Sequence, residues 1–195
     1  MPAILSKTYS GEGSEPVEFL KGTGGEEQRI SGLFEAVFTA SEGAEEGRVI
    51  GRLVRNLLSD TPSEDIQVFT GIENAELAGG AIFTRLTYAD DPRKVFILSP
   101  MAVATEWQGK GVGQALLTHA LAALRADGVD VVITYGDPAF YGQVGFMALS
   151  EADAASPLPL SLPEGWIGQS LNDDALAPLQ GRCACVPALR DPDIW

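Results

Sequence analysis

One segment near the middle of the chain limits its fold more than any other feature. Residues 96–104 form an apolar run, residues 108–113 read QGKGVG, and residues 114–124 repeat apolar side chains at helical spacing. A strand, a glycine turn and a helix N-terminus in this order bring backbone N–H groups together at the positive end of a helix dipole. The segment therefore predicts a βα unit that binds a diphosphate.

The spacing of the glycines indicates which diphosphate this unit fits. The dinucleotide fingerprint G-x-G-x-x-G fails, because Gln114 or Leu116 stands where its last glycine belongs, and the P-loop pattern G-x-x-x-x-G-K-[ST] is absent. The pattern that fits is Gln-x-x-Gly-x-Gly, formed by Gln108, Gly111 and Gly113. It resembles the acetyl-CoA-binding motif of the Gcn5-related N-acetyltransferases (the GNAT family), in which loop amides hold the CoA pyrophosphate.

A second motif, GDPAFYGQVGF, follows at residues 136–146. It comes directly after residues 129–135, a β-branched run that predicts a buried strand. Asp137 as N-cap and Pro138 as the first helical residue predict a short helix. The element resembles the family's Phe-Tyr-x-x-x-Gly-Phe, and its wording is similar to that of the YhbS-related predicted acetyltransferases. The resemblance implies that the hydroxyl of Tyr141 lies beside the CoA sulfur.

The resemblance also implies which residues bind acetyl-CoA, without a metal ion. Pro100 removes a backbone donor from its strand and predicts a bulge or an edge. In the family this strand splays from its parallel neighbour, the pantetheine arm lies in the gap, and a strand amide can hold the thioester oxygen. The residues implied are Met101, Ala102, Val103, Gln108, Gly109, Lys110, Gly111, Val112, Gly113 and Gln114.

The sequence supplies an acid for acetyl transfer more clearly than a base. Tyr141 is the predicted proton donor to the departing thiolate. Many relatives carry a glutamate or histidine on the strand before the loop, but residues 95–104 contain no ionisable side chain. Glu35, Glu106 and Asp137 are candidates elsewhere, although such residues more often serve as surface or capping groups. His119, between apolar neighbours in a predicted helix, is interpreted as a structural histidine.

Composition limits the classes of molecule that the protein is expected to bind and the cellular compartment in which it is expected. A formal net charge of −14 argues against nucleic acid and acidic membranes, and it favours a cationic acceptor such as an amine. The sequence has no apolar run of 18 residues, and its first eight residues lack the pattern of a signal peptide, so a cytoplasmic protein is expected. Cys183 and Cys185, two apart in a predicted strand, are expected to be reduced.

The remaining patterns predict an α+β fold in one domain over residues 1–195, with the cofactor-binding core at about 95–147. Residues 8–25 predict at most a strand fragment, and Thr23 with Glu26 predicts a capping box before the first helix. A twisted, mixed and mostly antiparallel sheet is expected, with a splayed β-α-β crossover and flanking helices. The predicted elements are a helix at 45–58, a meander at 66–71, 77–86 and 95–104, a helix at 111–126, a strand at 129–135, and a C-terminal strand pair at 166–167 and 182–186.

Two functions of different class follow from these motifs. The first is an acetyl-CoA-dependent N-acetyltransferase that acts on a primary amine of a small molecule or protein by direct attack in a ternary complex. The second is a non-catalytic acyl-CoA-binding sensor or regulatory module, which the absence of a base on the strand leaves open. A hydroxyl acceptor, a longer acyl chain and a homodimer also stay open on the sequence alone.

Overall fold

The computed structural model describes residues 16–172 and 175–195. After a short first strand come two long helices. A third long helix follows the central strands, and one short helix follows the fifth strand. The elements are β1 Glu18–Lys21, α1 Glu27–Glu42, α2 Ala44–Asp60, β2 Ile66–Glu73, β3 Glu76–Tyr88, β4 Val95–Val103, α3 Val112–Ala126, β5 Val131–Tyr135, α4 Pro138–Tyr141, β6 Met147–Ala148, β7 Trp166–Ser170 and β8 Cys183–Cys185.

The strands form one mixed sheet in the order β1-β2-β3-β4-β5-β7-β6, with β8 beside β3. The β4–β5 pair is parallel, and the other pairs are antiparallel. The parallel pair is joined by α3, because a parallel connection needs a crossover. The predicted meander, crossover and mostly antiparallel sheet are therefore confirmed.

Helices cover both faces of this sheet, because successive strand residues point to opposite sides. Val68, Ile82 and Ile97 pack in a core with α1 and α2. Their neighbours in sequence Phe69, Phe83 and Phe96 belong to a core with α3 on the other face. The central strands are buried on both faces, which explains why they read as nearly continuous apolar runs rather than as alternating ones.

The start of α1 differs from the predicted capping box. The helix begins at Glu27, its N-cap is Glu26, and no side chain caps it. The hydroxyl of Thr23 instead donates to the carboxylate of Glu27 at 2.6 Å. The N-cap Glu26 lies three positions after Thr23, beyond two positive-φ glycines, Gly24 and Gly25, so Thr23 comes too early in the chain to cap the helix. The prediction of a strand fragment holds at β1, whereas its residues 8–15 lie outside the described part of the chain.

Both predicted C-terminal strands are present, but they do not pair with each other. β7 pairs with β5, whereas β8 pairs with residues Leu86–Tyr88 of β3. β2 reaches only as far as Thr84 on that edge of β3, which leaves the end of β3 free for another strand.

Both cysteines of β8 are buried and free, as expected, and burial raises the pKa of Cys183 to about 12.

β4 and β5 separate halfway along β4, and we call this point the fork. Their parallel pairing ends at Leu98 and Thr134, where the Thr134 hydroxyl donates to the Leu98 carbonyl at 3.0 Å. The register of β4 against β3 shifts just beyond, around Pro100. From Met101 to Val103, β4 is again paired with β3, but no described strand pairs with it on the β5 side. The bulge and the splay predicted at Pro100 are present.

A buried ion pair holds the β3–β4 turn to the C-terminal segment. Asp91 accepts hydrogen bonds from Nε and Nη2 of Arg93 at 2.8 and 2.6 Å, and from the backbone N–H of Gln180 at 3.0 Å. Arg93 in turn donates to the carbonyls of Ala177 and Pro178. The Asp91 side chain is only 3% exposed, and its bonds with Arg93 hold the pKa of the carboxyl well below its usual range.

We expect Asp91→Asn to lower the free energy of unfolding at pH 7 by about 3 kcal/mol, because it leaves Arg93 without its charge partner in a partly buried site. Urea denaturation followed by circular dichroism measures the loss, with Asp90→Asn, at an exposed neighbour, as the matched control. Since the folded pKa is depressed, the stabilisation is complete above the unfolded pKa of about 3.9 and fades as the pH falls further. Equal unfolding free energies for the two variants would contradict this role.

Some expectations lie beyond what the structure describes. The first eight residues, where no signal peptide is expected, are outside the described part of the chain. The prediction of one domain over residues 1–195 includes them and stays a prediction. Within residues 16–172 and 175–195, no helix is long and apolar enough to cross a membrane.

Candidate cofactor groove and catalytic tyrosine

A groove of about 510 Å³ lies where β4 ends and α3 begins. Most of its wall comes from the glycine loop at residues 108–113 and the first turn of α3. Seven of the predicted cofactor-binding residues line it together with two aromatic residues. The lining residues are Val103, Trp107, Gln108, Gly109, Gly111, Val112, Gly113, Gln114 and Phe140.

The backbone N–H groups of the loop are free to bind a ligand. Gly111 is the N-cap of α3, and no side chain caps the helix. The first backbone donor of the helix with a partner is Ala115, which donates to the carbonyl of Gly111 at 3.0 Å. Across the described residues, nothing accepts a hydrogen bond from the six N–H groups of residues 109–114. Such a row at the positive end of a 15-residue helix is suited to an anion.

The loop conformation requires glycine at two positions. Gly109 and Gly111 have φ angles of 70° and 78°, in the left-handed region that glycine adopts without penalty. This conformation turns the chain from the short 3₁₀ turn Thr105–Trp107 into α3 within a few residues. The glycines of the motif therefore set the direction of the N–H groups as well as leaving space.

The third glycine of the motif, Gly113, is packed closely. A Cβ atom at this position would lie 3.1 Å from Cζ of Phe140, 3.3 Å from Cγ2 of Val103 and 3.4 Å from Cε of Met101. The absence of a side chain therefore lets α3, β4 and α4 meet at one point. This contact brings Met101, which does not line the groove, to its edge.

Three polar side chains fix the loop to its surroundings. Gln108 donates from Nε2 to the carbonyl of Val103 at 2.9 Å, which holds the loop against the end of β4. The indole N–H of Trp107 donates to Glu73 in β2. Gln114 donates to the side chain of Gln143, just after α4. The loop is thus anchored on both sides, and one of its anchors reaches the element that carries Tyr141.

Tyr141 lies next to the fork. Asp137 caps α4 by accepting from the N–H of Ala139 at 2.9 Å, and Pro138 is its first residue, as predicted. A Cβ atom on Gly136 would lie 2.7 Å from Cε2 of Tyr141, so the ring rests directly on the backbone that follows β5. The phenol interacts with the side chain of Thr134, at the last rung of the β4–β5 pairing.

The surroundings of Tyr141 keep its phenol protonated. The ring packs between Phe140 and Phe146, with ring centroids 5.0 and 5.6 Å away. Burial, opposed in part by the interaction with Thr134, raises the pKa of Tyr141 to about 12. This value is well above the usual thiol pKa of about 8.5, so the phenol can donate a hydrogen bond to a thiolate at neutral pH without losing its proton outright.

Two of the three candidate bases are occupied by structural roles. Glu35 forms an ion pair with Arg55 of α2, with 3.1 Å between Oε2 and Nη1. Asp137 caps α4. Glu106 is exposed in the 3₁₀ turn before the loop and lines a separate cavity beside α1. His119 packs against Phe19 and Phe69, and desolvation lowers its pKa, in agreement with a structural histidine.

The remaining predicted residues lie near the groove without lining it. Ala102 is 4% exposed and pairs with Gly80 of β3. Lys110 is exposed, and within the described residues no carboxylate forms an ion pair with it. Two aromatic residues of the groove wall, Trp107 and Phe140, were not among the predicted binding residues. Trp107 directly precedes one motif and Phe140 belongs to the other, which is the signal that could have identified them. No group of three metal-binding side chains occurs in the part of the chain that the structure describes.

Comparisons with known proteins agree with this geometry. A family model described as an acetyltransferase (GNAT) domain matches residues 64–148. The Escherichia coli K12 protein YjhQ, named as an uncharacterised N-acetyltransferase, is 31% identical over 147 residues, which are 72% of this chain and 78% of YjhQ. YhbS of the same organism, named in the same way, is 31% identical over 84 residues, half of its own length.

Solved structures show the same fold. The crystal structure of E. coli YhbS in complex with CoA matches with a TM-score of 0.78 at 20% identity, over 91% of this chain and 94% of that one. A GNAT family acetyltransferase from Brucella melitensis in complex with acetyl-CoA matches with a TM-score of 0.68 at 20% identity, over 88% and 97%. From the relative YjhQ, the family model and the shared fold, we conclude that the chain belongs to the Gcn5-related N-acetyltransferase family of acyltransferases, among its YhbS-like members.

Proposed function

We propose that the protein transfers the acetyl group of acetyl-CoA to a primary amine by direct attack in a ternary complex. The observation that carries the proposal is the row of six backbone N–H groups at residues 109–114, which have no acceptor among the described residues and of which all but that of Lys110 belong to residues lining the groove. A pyrophosphate would accept hydrogen bonds from them. That YhbS was solved with CoA and the Brucella protein with acetyl-CoA supports the choice of ligand.

The fork gives the pantetheine arm a place beside this groove. We propose that the arm runs along β4 at Met101, Ala102 and Val103, where the strand has no neighbour on its β5 side. Its thiol end would then approach Thr134 and Tyr141. Lys110, exposed and without an ion pair among the described residues, supplies a positive charge near the pyrophosphate in a chain of net charge −14.

Different groups at the fork act on the carbonyl oxygen and on the leaving sulfur. The acceptor ammonium loses one proton to solvent, and its nitrogen attacks the thioester carbon while a strand amide near Ala102 stabilises the charge on the carbonyl oxygen. The C–N bond forms and the C–S bond breaks. The departing thiolate receives a hydrogen bond from Tyr141, and the second proton lost by the nitrogen ends on the thiol sulfur. The phenol keeps its own proton over the cycle.

A non-catalytic acyl-CoA sensor is the second candidate. It is favoured by the lack of an ionisable side chain on β4, together with the engagement of Glu35 by Arg55 and of Asp137 by its helix cap. A sensor would bind acetyl-CoA at the same groove without releasing thiol. In the enzyme, solvent would accept the proton that the acceptor ammonium loses. The two candidates therefore differ in turnover and share the same binding of acetyl-CoA.

We expect isothermal titration calorimetry to show acetyl-CoA binding with a Kd below about 100 µM, in the range of ordinary cosubstrates. A thiol-release assay over a broad panel of amines tests turnover on the same preparation. Binding with amine-dependent thiol release supports the acetyltransferase, and tight binding with no release for any amine identifies a sensor. Failure to bind at about 1 mM acetyl-CoA would refute both.

A further inference from the structure

Another cavity, which we call the β5-end cavity, lies at the start of α4. It has a volume of about 750 Å³ and is lined at the carboxyl end of β5 by Gly136 and at the start of α4 by Pro138. Phe140, at the other end of α4, lines the cofactor groove. Since the Gly136 backbone touches the ring of Tyr141, the cavity borders the proposed acid while remaining distinct from the groove.

One wall of the β5-end cavity is aromatic and firmly held. The rings of Tyr135 and Trp195 stack with centroids 6.3 Å apart and an angle of 17° between their planes. The Trp195 indole donates to the carbonyl of Leu189 at 2.7 Å. The Tyr135 hydroxyl accepts from the N–H of Leu162 at 2.6 Å and lies 2.9 Å from the hydroxyl of Ser161. A wall fixed at this many points is preformed for a ligand.

The rim of the cavity exposes an apolar side chain. Leu162 lines the cavity and is 60% exposed, one of only three large hydrophobic residues exposed among those the structure describes. Ile194 adds a second aliphatic side chain to the lining. An exposed leucine beside an aromatic wall, in a cavity of this size, is typical of a site for an apolar or aromatic group.

The charge of the β5-end cavity is negative and uncompensated. Glu42 from the end of α1, Asp137 and Glu164 all line it. None of these carboxylates forms an ion pair with a described residue, and no described lysine, arginine or histidine lines the cavity. A cationic ligand therefore complements the site, whereas a ligand with its own carboxylate is repelled.

We propose that the β5-end cavity binds the acceptor, and that this acceptor is a small primary amine carried on an aromatic or apolar body without a carboxylate. The inference rests on the proposed acetyl transfer and narrows its acceptor. The volume lies within the range of small-molecule sites. The apolar body would lie against the aromatic wall and Leu162, and the ammonium would lie toward the carboxylates near Gly136, from which it could reach the fork.

A matched pair of amines tests the charge of the acceptor. 2-Phenylethylamine and phenylalanine share an aromatic body and a primary amine, and they differ by one carboxylate. We expect kcat/KM for thiol release to be at least about 100-fold higher for 2-phenylethylamine, since the carboxylate of phenylalanine would enter a negative cavity. Comparable values for the two amines, or a lysine-containing peptide as the better acceptor, would overturn the inference.

Variants test the location of the acceptor. We expect Leu162→Ser to raise the KM for 2-phenylethylamine about tenfold. The double variant Glu42→Gln/Glu164→Gln should raise it about fivefold, and high salt should weaken that effect. The matched control is Glu45→Gln, an exposed glutamate in the first turn of α2 that does not line the cavity. An unchanged KM in both cavity variants would overturn the inference.

The acetyl-CoA titration separates failure of this inference from failure of the proposed function. Variants of the β5-end cavity should leave the Kd for acetyl-CoA unchanged, because their residues do not line the cofactor groove. If acetyl-CoA binds and other amines are acetylated in preference to arylalkylamines, only this inference fails. If acetyl-CoA binds but no amine releases thiol, the transfer fails and the inference fails with it.

Discussion

Gly111→Asp should abolish the binding of acetyl-CoA, with a loss of affinity of at least about 100-fold in isothermal titration calorimetry. Gly111 caps α3 and lies within the row of N–H groups proposed to hold the pyrophosphate. A carboxylate here would lie close to the ligand's negative charge. A like-charge contact at 4 Å costs about 4 kcal/mol near a protein surface, and each 1.4 kcal/mol is a factor of ten in Kd.

Gly111→Asn is the matched control for this prediction. Asparagine and aspartate have nearly the same shape, and both tolerate the left-handed conformation that Gly111 adopts at φ 78°. Backbone strain is therefore common to the two variants, and they differ in charge. We expect Gly111→Asn to weaken binding less than about tenfold. Similar affinities for the aspartate and asparagine variants would place the pyrophosphate elsewhere.

Tyr141→Phe should lower kcat about 100-fold and leave the Kd for acetyl-CoA nearly unchanged. The substitution removes the hydroxyl proposed to donate a hydrogen bond to the departing thiolate, and one donor aimed at a developing negative charge typically contributes about 10²- to 10³-fold to kcat. The ring contacts with Phe140, Phe146 and the Gly136 backbone are kept, so the fold around α4 should persist. Steady-state thiol release and calorimetry on the same preparation measure the two effects.

Tyr88→Phe provides the control for loss of a buried tyrosine hydroxyl. In the wild type, the hydroxyl of Tyr88 donates to the carbonyl of Ala155 at 2.8 Å, in the core on the α1 and α2 side of the sheet. We expect Tyr88→Phe to lower the free energy of unfolding and to leave kcat within about twofold of the wild type. An equal loss of kcat in Tyr88→Phe and Tyr141→Phe would indicate that both act through stability.

The pH profile offers a second readout for Tyr141. Because the pKa of Tyr141 is raised to about 12, its phenol stays protonated across the range in which amines deprotonate. We therefore expect kcat/KM to rise with pH as the acceptor loses its proton, with no falling limb from the tyrosine below about pH 11. A falling limb near pH 10 that disappears in Tyr141→Phe would show that the phenol is not shifted.

The sequence was most informative where one local pattern determined one structure. The strand, the glycine loop and α3 were predicted within one or two residues, because the loop needs glycine and the helix needs an apolar face. Asp137 and Pro138 located α4 for the same reason: a cap and a first-turn proline act locally. The groove could therefore be predicted from motif residues that lie close together in the chain.

Features that depend on distant segments were not predictable from such patterns. β8 pairs with β3 across about 100 residues of sequence because β2 stops at Thr84, and nothing in the Cys183–Cys185 segment encodes that partner. The β5-end cavity was missed for a similar reason. Its walls come from α1, the end of β5 and residues 161–165 and 192–195, which only the folded sheet brings together.

The fork has a consequence for the thermal behaviour of the protein. Backbone groups of β4 beyond Leu98 have no described strand partner on the β5 side, so a ligand that lies along them can form hydrogen bonds with them. Any molecule that pairs with them in the native state adds RT ln(1 + [L]/Kd) to its free energy of unfolding, about 2.7 kcal/mol at 100 times Kd. The melting temperature should therefore rise with the logarithm of the cosubstrate concentration, so the resistance of the protein to heat in a cell would follow its metabolic state.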